Sequence, residues 1–412
     1  MAEHAPQPHL LSIDDALALV AAHVTPLPAE EVALAQAYGR FIAEDLRAAV
    51  DLPPFASSAM DGYALRGADT PGRLEVVGES AAGTPYRGEL GPGQAVAIST
   101  GAVVPAQADA VVPVEDVEVH DDGARIELSS PVEPGAFVRA QGGDIERGAR
   151  LLEAGTRLGP AQIGAAAAVG LGTLKCRRRP RVAVLATGSE LRQPGGQLAE
   201  GEIYDANGPM LRAAMVSSGA RVELVPSAAD THEAHRAALA RALEHDVVLS
   251  SGGVSVGAHD LVRSVGAELG VEEVFWRVAL RPGKPLAFGT RGPTLVFGLP
   301  GNPVSSLVNF ELFVRPALLA LQGAPSIQPD WSSGTLAAAV PRNASRDELI
   351  RVRASATGAG TPAGMAVLSP LPGQQSHQIA IAAQADGLAL IPTGTGDLPA
   401  DAQVAYLPLQ RS

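Results

Sequence analysis

The sequence predicts a multidomain protein of the α/β plus β class, and three observations carry that prediction. Its 412 residues exceed one ordinary core and suit about two to four domains. Between Arg181 and about Leu321, apolar strand-like runs alternate with amphipathic helical stretches. That is the grammar of a mostly parallel sheet covered on both faces. On either side, from Glu31 to about Gly148 and beyond Gly323, short apolar runs are broken by Gly, Pro and Asp, which reads as β structure.

In chain order, Ser12 precedes Ile13-Asp14-Asp15 and the run Ala16 to Val20, so a helix capped by the Ser12 hydroxyl is expected. Leu74 to Val77, Ala95 to Ile98 and Ala110 to Val114 are representative strands of the β-rich module that follows. Pro160 to Val169 reads as a short helix. Arg177-Arg178-Arg179-Pro180 reads as a solvated basic linker, with an anion site as the alternative. The strand Arg181 to Leu185 runs into Thr187-Gly188. A helix at about Pro209 to Ser217, a strand Arg221 to Val225, a helix Thr231 to Leu243 and a strand Asp246 to Leu249 come next. A long helix from Val304 to about Leu321 closes the unit. Leu349 to Val352, Ala366 to Leu368, Leu388 to Ile391 and Val404 to Leu407 form a small C-terminal β domain.

Composition narrows the function. A hydrophobic fraction of 46% supports packed interiors. The formal charge of −13 argues against a nucleic-acid binder, because tracking phosphates requires a basic excess. An acidic chain can still hold an anion where positive groups and free N–H donors gather locally. Cys176 is the only cysteine, which leaves no internal disulfide and no cysteine zinc cluster. Met1-Ala2-Glu3-His4 begins no secretory signal, and Ala161 to Leu174 is too short and glycine-rich to cross a bilayer. A soluble, cytoplasmic protein without membrane or nucleic-acid partners is expected. Among 31 basic residues only Lys175 and Lys284 are lysines, so each surviving lysine is informative. Asparagine is also scarce, and Asn207 and Asn302 both fall in glycine-rich motifs.

Three motifs suit an anionic ligand. Ser251 to Gly257, containing Gly252, Gly253 and Ser255, follows an apolar strand and precedes a helix beginning near Asp260. Its glycines can turn backbone N–H groups inward as a phosphate cradle; an ordinary tight turn is the alternative. No Walker A lysine and no G-x-G-x-x-G is present, which argues against an ordinary P-loop ATPase or a dinucleotide site. Arg281-Pro282-Gly283-Lys284-Pro285 holds two cations on a stiffened backbone, suited to phosphate or molybdate. In Gly298 to Ser305, which includes Pro300, Asn302 is expected to cap a helix whose first turn holds Pro303. Asp61, Glu190, Asp205, Asp230 and Asp260 accompany these loops. Carboxylates beside a phosphate site point to Mg2+ as a set, although each alone reads first as a cap or a surface charge. His232 and His235 share a helix face but lack a third ligand, and no Ser-His-Asp frame is present.

Together these segments resemble the molybdopterin molybdenumtransferase family (the MoeA type, also the gephyrin E domain). The ordered series is Ser58 to Ala64, Ser99-Thr100-Gly101-Ala102 with Pro105, Arg139 to Ile145, Thr187 to Leu191, and Tyr204-Asp205-Ala206-Asn207. It continues through Ser251 to Asp260, Arg281 to Pro285, Gly298 to Ser305, Arg346 to Arg351 and Gly373 to His377. Ser189, Gly143, His259 and Leu261 depart from the usual pattern, while Glu190, Asp144 and Asp260 are kept.

The resemblance implies an elongated homodimer with a discontinuous linker domain (residues 1–27 and 149–177) and an inserted β-rich domain (28–148). An α/β molybdopterin-binding domain (178–325) and a C-terminal β-barrel-like domain (326–412) complete it. It implies molybdate insertion into adenylyl-molybdopterin with release of AMP, and contact with the adenylyltransferase and with acceptor molybdoenzymes. Asp61, Thr100, Asp144 and Glu190 are the implied catalytic set, with Asp61 and Thr100 facing Glu190 across the dimer. Arg281, Lys284, Ser305, Arg351 and Ser376 would hold molybdate, and Asp61, Glu190, Asp230 and Asp260 the metal. Adenylylation of molybdopterin and a non-catalytic scaffold are the alternative readings.

Overall fold

The computed structural model of the chain describes residues 10–186, 188, 190–225, 231–252, 261–355 and 365–409. It divides into two compact units, one of Met1–Glu30, Gly39–Phe41 and Cys176–Ser412, the other of Glu31–Tyr38 and Ile42–Lys175.

Helix α1 (Ile13–Ala22) belongs to the first unit, and Ser12 Oγ accepts from the Asp15 N–H at 3.0 Å, as its position predicts. Ile13, Ala16, Leu17 and Val20 line one stripe at helical spacing and are buried.

The second unit is built on a six-stranded sheet of β1 (Gly62–Leu65), β2 (Gly72–Ser80), β3 (Gln94–Ile98), β4 (Ala110–Pro113), β5 (Glu118–His120) and β6 (Arg125–Leu128). Their order is β4-β1-β3-β2-β6-β5, and only the β2–β3 pair is parallel. Leu65, Leu74, Ala95, Val112 and Ile126 fill its core. Gly62 is the register partner of Ile98, so the residues just before β1 and just after β3 emerge side by side. Helix α2 (Pro160–Ala168) starts with Pro160 in its first turn, where a missing N–H costs nothing.

In the first unit, β7 (Arg181–Ala186), α3 (Asn207–Ser217), β8 (Arg221–Val225), α4 (His232–Ala242), β9 (Val247–Ser251), α5 (Leu261–Glu268) and β10 (Glu272–Trp276) follow in chain order. A two-residue strand β11 (Leu280–Arg281), then β12 (Ala287–Arg291) and β13 (Thr294–Leu299), lead into α6 (Pro303–Asn309) and α7 (Arg315–Leu321). The sheet order is β8-β7-β9-β13-β12-β10. The first four strands are parallel, as the strand–helix alternation predicts, while β12 and β10 pair antiparallel. The sheet is therefore mixed. The tight turn at Gly292, with φ +55°, makes β12 and β13 a hairpin in place of another crossover.

The expected single helix over 304–321 carries a π turn at Phe310–Val314 between α6 and α7. Pro316 has no N–H for the ladder, and the wider turn accommodates its absence. Phe310, Leu312, Phe313 and Val314 are fully buried, each stabilising by about 1.5–3 kcal/mol. Pro303–Leu321 is the one described helix long and apolar enough to cross a membrane, and 83% of that stretch is buried inside the protein.

The C-terminal region forms a closed five-stranded barrel of β14 (Ser332–Leu336), β15 (Asp347–Ser355), β16 (Ala366–Pro370), β17 (Gly387–Ile391) and β18 (Gln403–Pro408). Strand β14 is invisible in the sequence because Ser332-Ser333-Gly334-Thr335 reads as a turn. Gly334 is needed there: a Cβ would meet Leu368 at 2.7 Å. Strand β11 joins the barrel in parallel, with Arg281 opposite Glu348.

Candidate active site

Strands β7, β9 and β13 all end at the same edge of the sheet, where ligands bind in parallel α/β folds. Three loops meet there, and Asn207 locks them. Its Nδ2 donates to Ser251 Oγ at the end of β9 and to the Gly301 carbonyl after β13, both at 2.7 Å. Asn207 Oδ1 is buried with no hydrogen-bond partner, a polar atom left for a ligand or water. Asp205, 6% exposed, is not a free carboxylate: its Oδ1 accepts from the Gly208 N–H at 2.9 Å and closes the first turn of α3. A Cβ at Gly208 would meet Asp205 Oδ2 at 2.4 Å, so any larger residue there must displace that carboxylate.

Glu190 is exposed at the end of the β7 loop, and its carbonyl accepts from the Ile203 N–H. Gly188 has φ +151°, and a side chain there would meet the Glu190 carboxylate at 2.7 Å. Gly252 is described, with φ +91° and its N–H donating to the Leu299 carbonyl at 3.0 Å. Thr187, Ser189, Asp230, Gly253, Ser255, Gly257 and Asp260 lie outside the described residues.

Asn302 occupies the position expected to cap α6 but makes no capping bond. Its Nδ2 instead donates to Ser376 Oγ at 3.0 Å, and the Val304 N–H donates to the Ser376 carbonyl at 3.1 Å. The barrel loop 373–377 thus takes over the helix start, so the capping expectation is corrected. That loop is held from below by Arg351, 1% exposed. Its Nη2 donates to the Gly373 carbonyl at 2.6 Å and its Nη1 to the Gln375 carbonyl at 3.2 Å. Gln374 returns the brace, donating to the Arg351 carbonyl at 3.0 Å. Burial pulls the Arg351 guanidinium below its ordinary pKa, and its Nε has no partner.

Arg281 is exposed and lies 3.5 Å from Glu348, whose pKa burial raises and the nearby Arg281 and Arg346 partly restrain. Lys284 is half-buried and forms no ion pair among the described residues. The other lysine, Lys175, sits in an exposed pair with Glu44 at 3.1 Å. Ser305 is buried in the first turn of α6, and Pro300 is buried just ahead of it. Sequence reasoning missed Asn309. It is fully buried, and its Nδ2 donates to the Gly283 carbonyl at 3.1 Å, pinning the Arg281–Pro285 turn to α6. Gly283 has φ +113° and no room for a Cβ, which would meet Asn309 Oδ1 at 2.9 Å. The chain has four asparagines, 207, 302, 309 and 343. That scarcity was the signal that could have singled Asn309 out.

In the second unit, Asp61 Oδ1 accepts from the Thr100 N–H at 2.6 Å and from Thr100 Oγ1 at 3.0 Å. This is the side-by-side emergence that the β1–β3 register dictates. Those two bonds, the backbone one first, hold the exposed Asp61 carboxyl below its ordinary pKa. Asp144 is exposed, and its N–H donates to the Leu52 carbonyl. The described residues contain one cluster of metal-type ligands, Glu118, His120 and Glu127, none of which the sequence singled out. Glu127 there is already paired with Arg73 at 2.7 Å. Among the described residues, a cavity of about 410 Å3 lined by Leu239, Ser250, Ala267, Phe288 and neighbours touches the predicted anion motifs only at Gly298.

Three family models match the chain: the MoeA N-terminal region (domain I and II) over residues 11–170, a "probable molybdopterin binding domain" over 183–320, and the MoeA C-terminal region (domain IV) over 333–409. A Mycobacterium tuberculosis protein named molybdopterin molybdenumtransferase 2 is 38% identical over 388 residues, 90% of this chain and 93% of its own length. A molybdopterin molybdenumtransferase of Haemophilus influenzae is 38% identical over 311 residues, 74% of this chain and 75% of its own. The crystal structure of a molybdopterin biosynthesis MoeA protein from Pyrococcus horikoshii superposes with a TM-score of 0.81 at 35% identity. It covers 98% of this chain and 100% of that one. The chain belongs to the molybdopterin molybdenumtransferase family and is a transferase of molybdenum cofactor biosynthesis.

Proposed function

We propose that the chain ligates molybdate to the dithiolene of adenylyl-molybdopterin and releases AMP. The observation that carries this reading is the Asn207 bridge to Ser251 and Gly301, which joins three strand-end loops, while the turn holding Arg281 and Lys284 is pinned to the last residue of α6 by Asn309. Gly252, Gly253, Ser255 and Gly257 cradle the phosphate, with Asp205, Asn207, Pro300, Asn302 and Pro303 shaping the rest of the substrate pocket. Lys284 and Arg281 draw molybdate toward a substrate that is itself anionic, and their fixed charge offsets the repulsion between the two. Arg351 contributes its unpartnered Nε and keeps Ser376 on the start of α6; Ser305 completes the molybdate set.

Asp61, Thr100, Asp144 and Glu190 form the catalytic set. The Asp61 carboxylate is kept ionised by Thr100, and its Oδ2 has no donor among the described residues. Exposed carboxylate oxygens are the hard ligands Mg2+ prefers, so Asp61 and Glu190 fit the ion, joined by Asp230 and Asp260. Bound there, Mg2+ would supply charge neutralisation at the phosphoanhydride. In this reading the chain is a cytoplasmic homodimer, with Asp61 and Thr100 of one copy completing the site of the other. Its four parts are 1–27 with 149–177, then 28–148, 178–325 and 326–412. It receives its substrate from the adenylyltransferase and passes the product to acceptor molybdoenzymes.

Incubation with adenylyl-molybdopterin and molybdate tests this directly. AMP release that requires molybdate supports it. Pyrophosphate release from ATP and molybdopterin, without molybdate-dependent AMP, would instead support adenylylation. A strictly monomeric active species, by light scattering, removes the shared site.

A further inference from the structure

The basic link 177–180 is not a free solvated run. Arg178 forms a fork with Asp246, Nη1 to Oδ2 at 2.7 Å and Nη2 to Oδ1 at 2.6 Å. Arg40, 5% exposed, donates to Glu30 and to the Arg177 carbonyl, yet its Nε is buried without a partner. Around these pairs lies a hollow of about 310 Å3 lined by Arg178, Arg179, Arg181, Arg221 and one acid, Glu30. With the framing pairs counted, a protein of formal charge −13 has gathered five arginines (40, 178, 179, 181 and 221) against two carboxylates, Glu30 and Asp246.

The backbone enforces this crowding. Arg181 and Arg221 open neighbouring parallel strands β7 and β8 and are direct register partners. Like charges in that relation repel and destabilise a sheet. Arg181 spends Nη2 on the Glu244 carbonyl at 2.6 Å, but Arg179 and Arg221 form no ion pair among the described residues. Arg179 Nε is buried without an acceptor. Burial first, then the charges of Arg40 and Arg221, pull the Arg179 guanidinium below its ordinary pKa. Such an arrangement is unfavourable by itself and favourable once an anion enters it.

We propose that Arg179, Arg181 and Arg221 form a binding site for a tetrahedral oxyanion at the N-terminal edge of the parallel sheet, framed by the Arg178–Asp246 and Arg40–Glu30 pairs. Guanidinium forks match the oxygen geometry of phosphate or molybdate. At about 30 Å3 per water the hollow holds roughly ten waters. It therefore admits a free oxyanion or the terminal phosphate of a small metabolite. The site is separate from the strand-end loops, because the five steps of β7 span roughly 17 Å.

Inorganic phosphate, molybdate and AMP titrated at fixed ionic strength test this, with calorimetry and thermal unfolding on the intact protein. Wild type and Lys284→Ala should bind phosphate or AMP alike, which excludes the molybdate turn as the source of that signal. Arg179→Gln/Arg221→Gln should bind at least tenfold more weakly, and without ligand should melt no lower than wild type, since it relieves repulsion. Glu30→Gln should tighten binding severalfold. Persistence of wild-type affinity in the double variant overturns the proposal, as does failure of all three anions to bind wild type at about 10 mM. If the double variant does not fold, Arg221→Gln alone decides by whether affinity falls. Preference among the three anions distinguishes a free oxyanion from an esterified phosphate.

Discussion

The side-chain amide of Asn207 donates at 2.7 Å to the hydroxyl of Ser251, joining the first turn of α3 to the last residue of β9 across 44 positions of chain. The same nitrogen reaches the Gly301 carbonyl. One amide therefore sets the spacing of three loops at the ligand edge. Replacing Asn207 by Ala removes both of these hydrogen bonds, at a cost of about 0.5–1.5 kcal/mol each. Thermal unfolding should report that loss, with AMP release falling further than stability alone explains. Unchanged turnover in a destabilised variant would separate the bridge from the chemistry.

Thr100 holds Asp61 in its charged form through two donors to one oxygen. Asp61 has a folded pKa below its unfolded value, so its contribution is present above about pH 4 and is lost as pH falls through the folded pKa. Thr100→Ala removes the hydroxyl donor and should raise the Asp61 pKa, shifting the acid limb of the activity profile upward. Carboxyl NMR titration of Asp61 in both proteins checks the sign. A titration that does not move would remove Thr100 from this role.

Arg351 acts from beneath the surface. Its two terminal nitrogens hold the Gly373 and Gln375 carbonyls, and the loop they shape carries Ser376 onto α6. Arg351→Met keeps most of the volume but leaves both carbonyls without donors, roughly 1–3 kcal/mol for each that stays buried. Lysine cannot fork to both, so Arg351→Lys should rescue stability only in part. Both variants should weaken molybdate binding measured by calorimetry. Full affinity in Arg351→Lys would show that the fork is dispensable.

Lys284 is the half-buried cation of the Arg281–Pro285 turn, and Asn309 fixes that turn by accepting no freedom at Gly283. Lys284→Ala should lose molybdate affinity at least tenfold with little change in melting temperature. Gly283→Ala should lose both, because its φ of +113° and the nearby Asn309 oxygen forbid a Cβ. Equal affinities in Lys284→Ala and wild type would take the lysine out of the anion site.

The sequence by itself determined most of the element types and singled out the loops proposed to bind the ligand. Alternating strands and helices over 181–321, the cap at Ser12 and the stiff turn at Arg281–Pro285 are local patterns, set by side-chain period and backbone restriction. Scarcity of lysine and asparagine pointed at the same loops. Tertiary structure alone decided who bonds to whom. Asn302 reaches Ser376 and not its own helix, Arg351 braces a loop of the barrel, and Arg181 stands opposite Arg221. The hairpin of β12 and β13, and the barrel strand β14, likewise escaped local reading. These relations depend on strand order and register across tens of residues, and no short window of sequence carries that information.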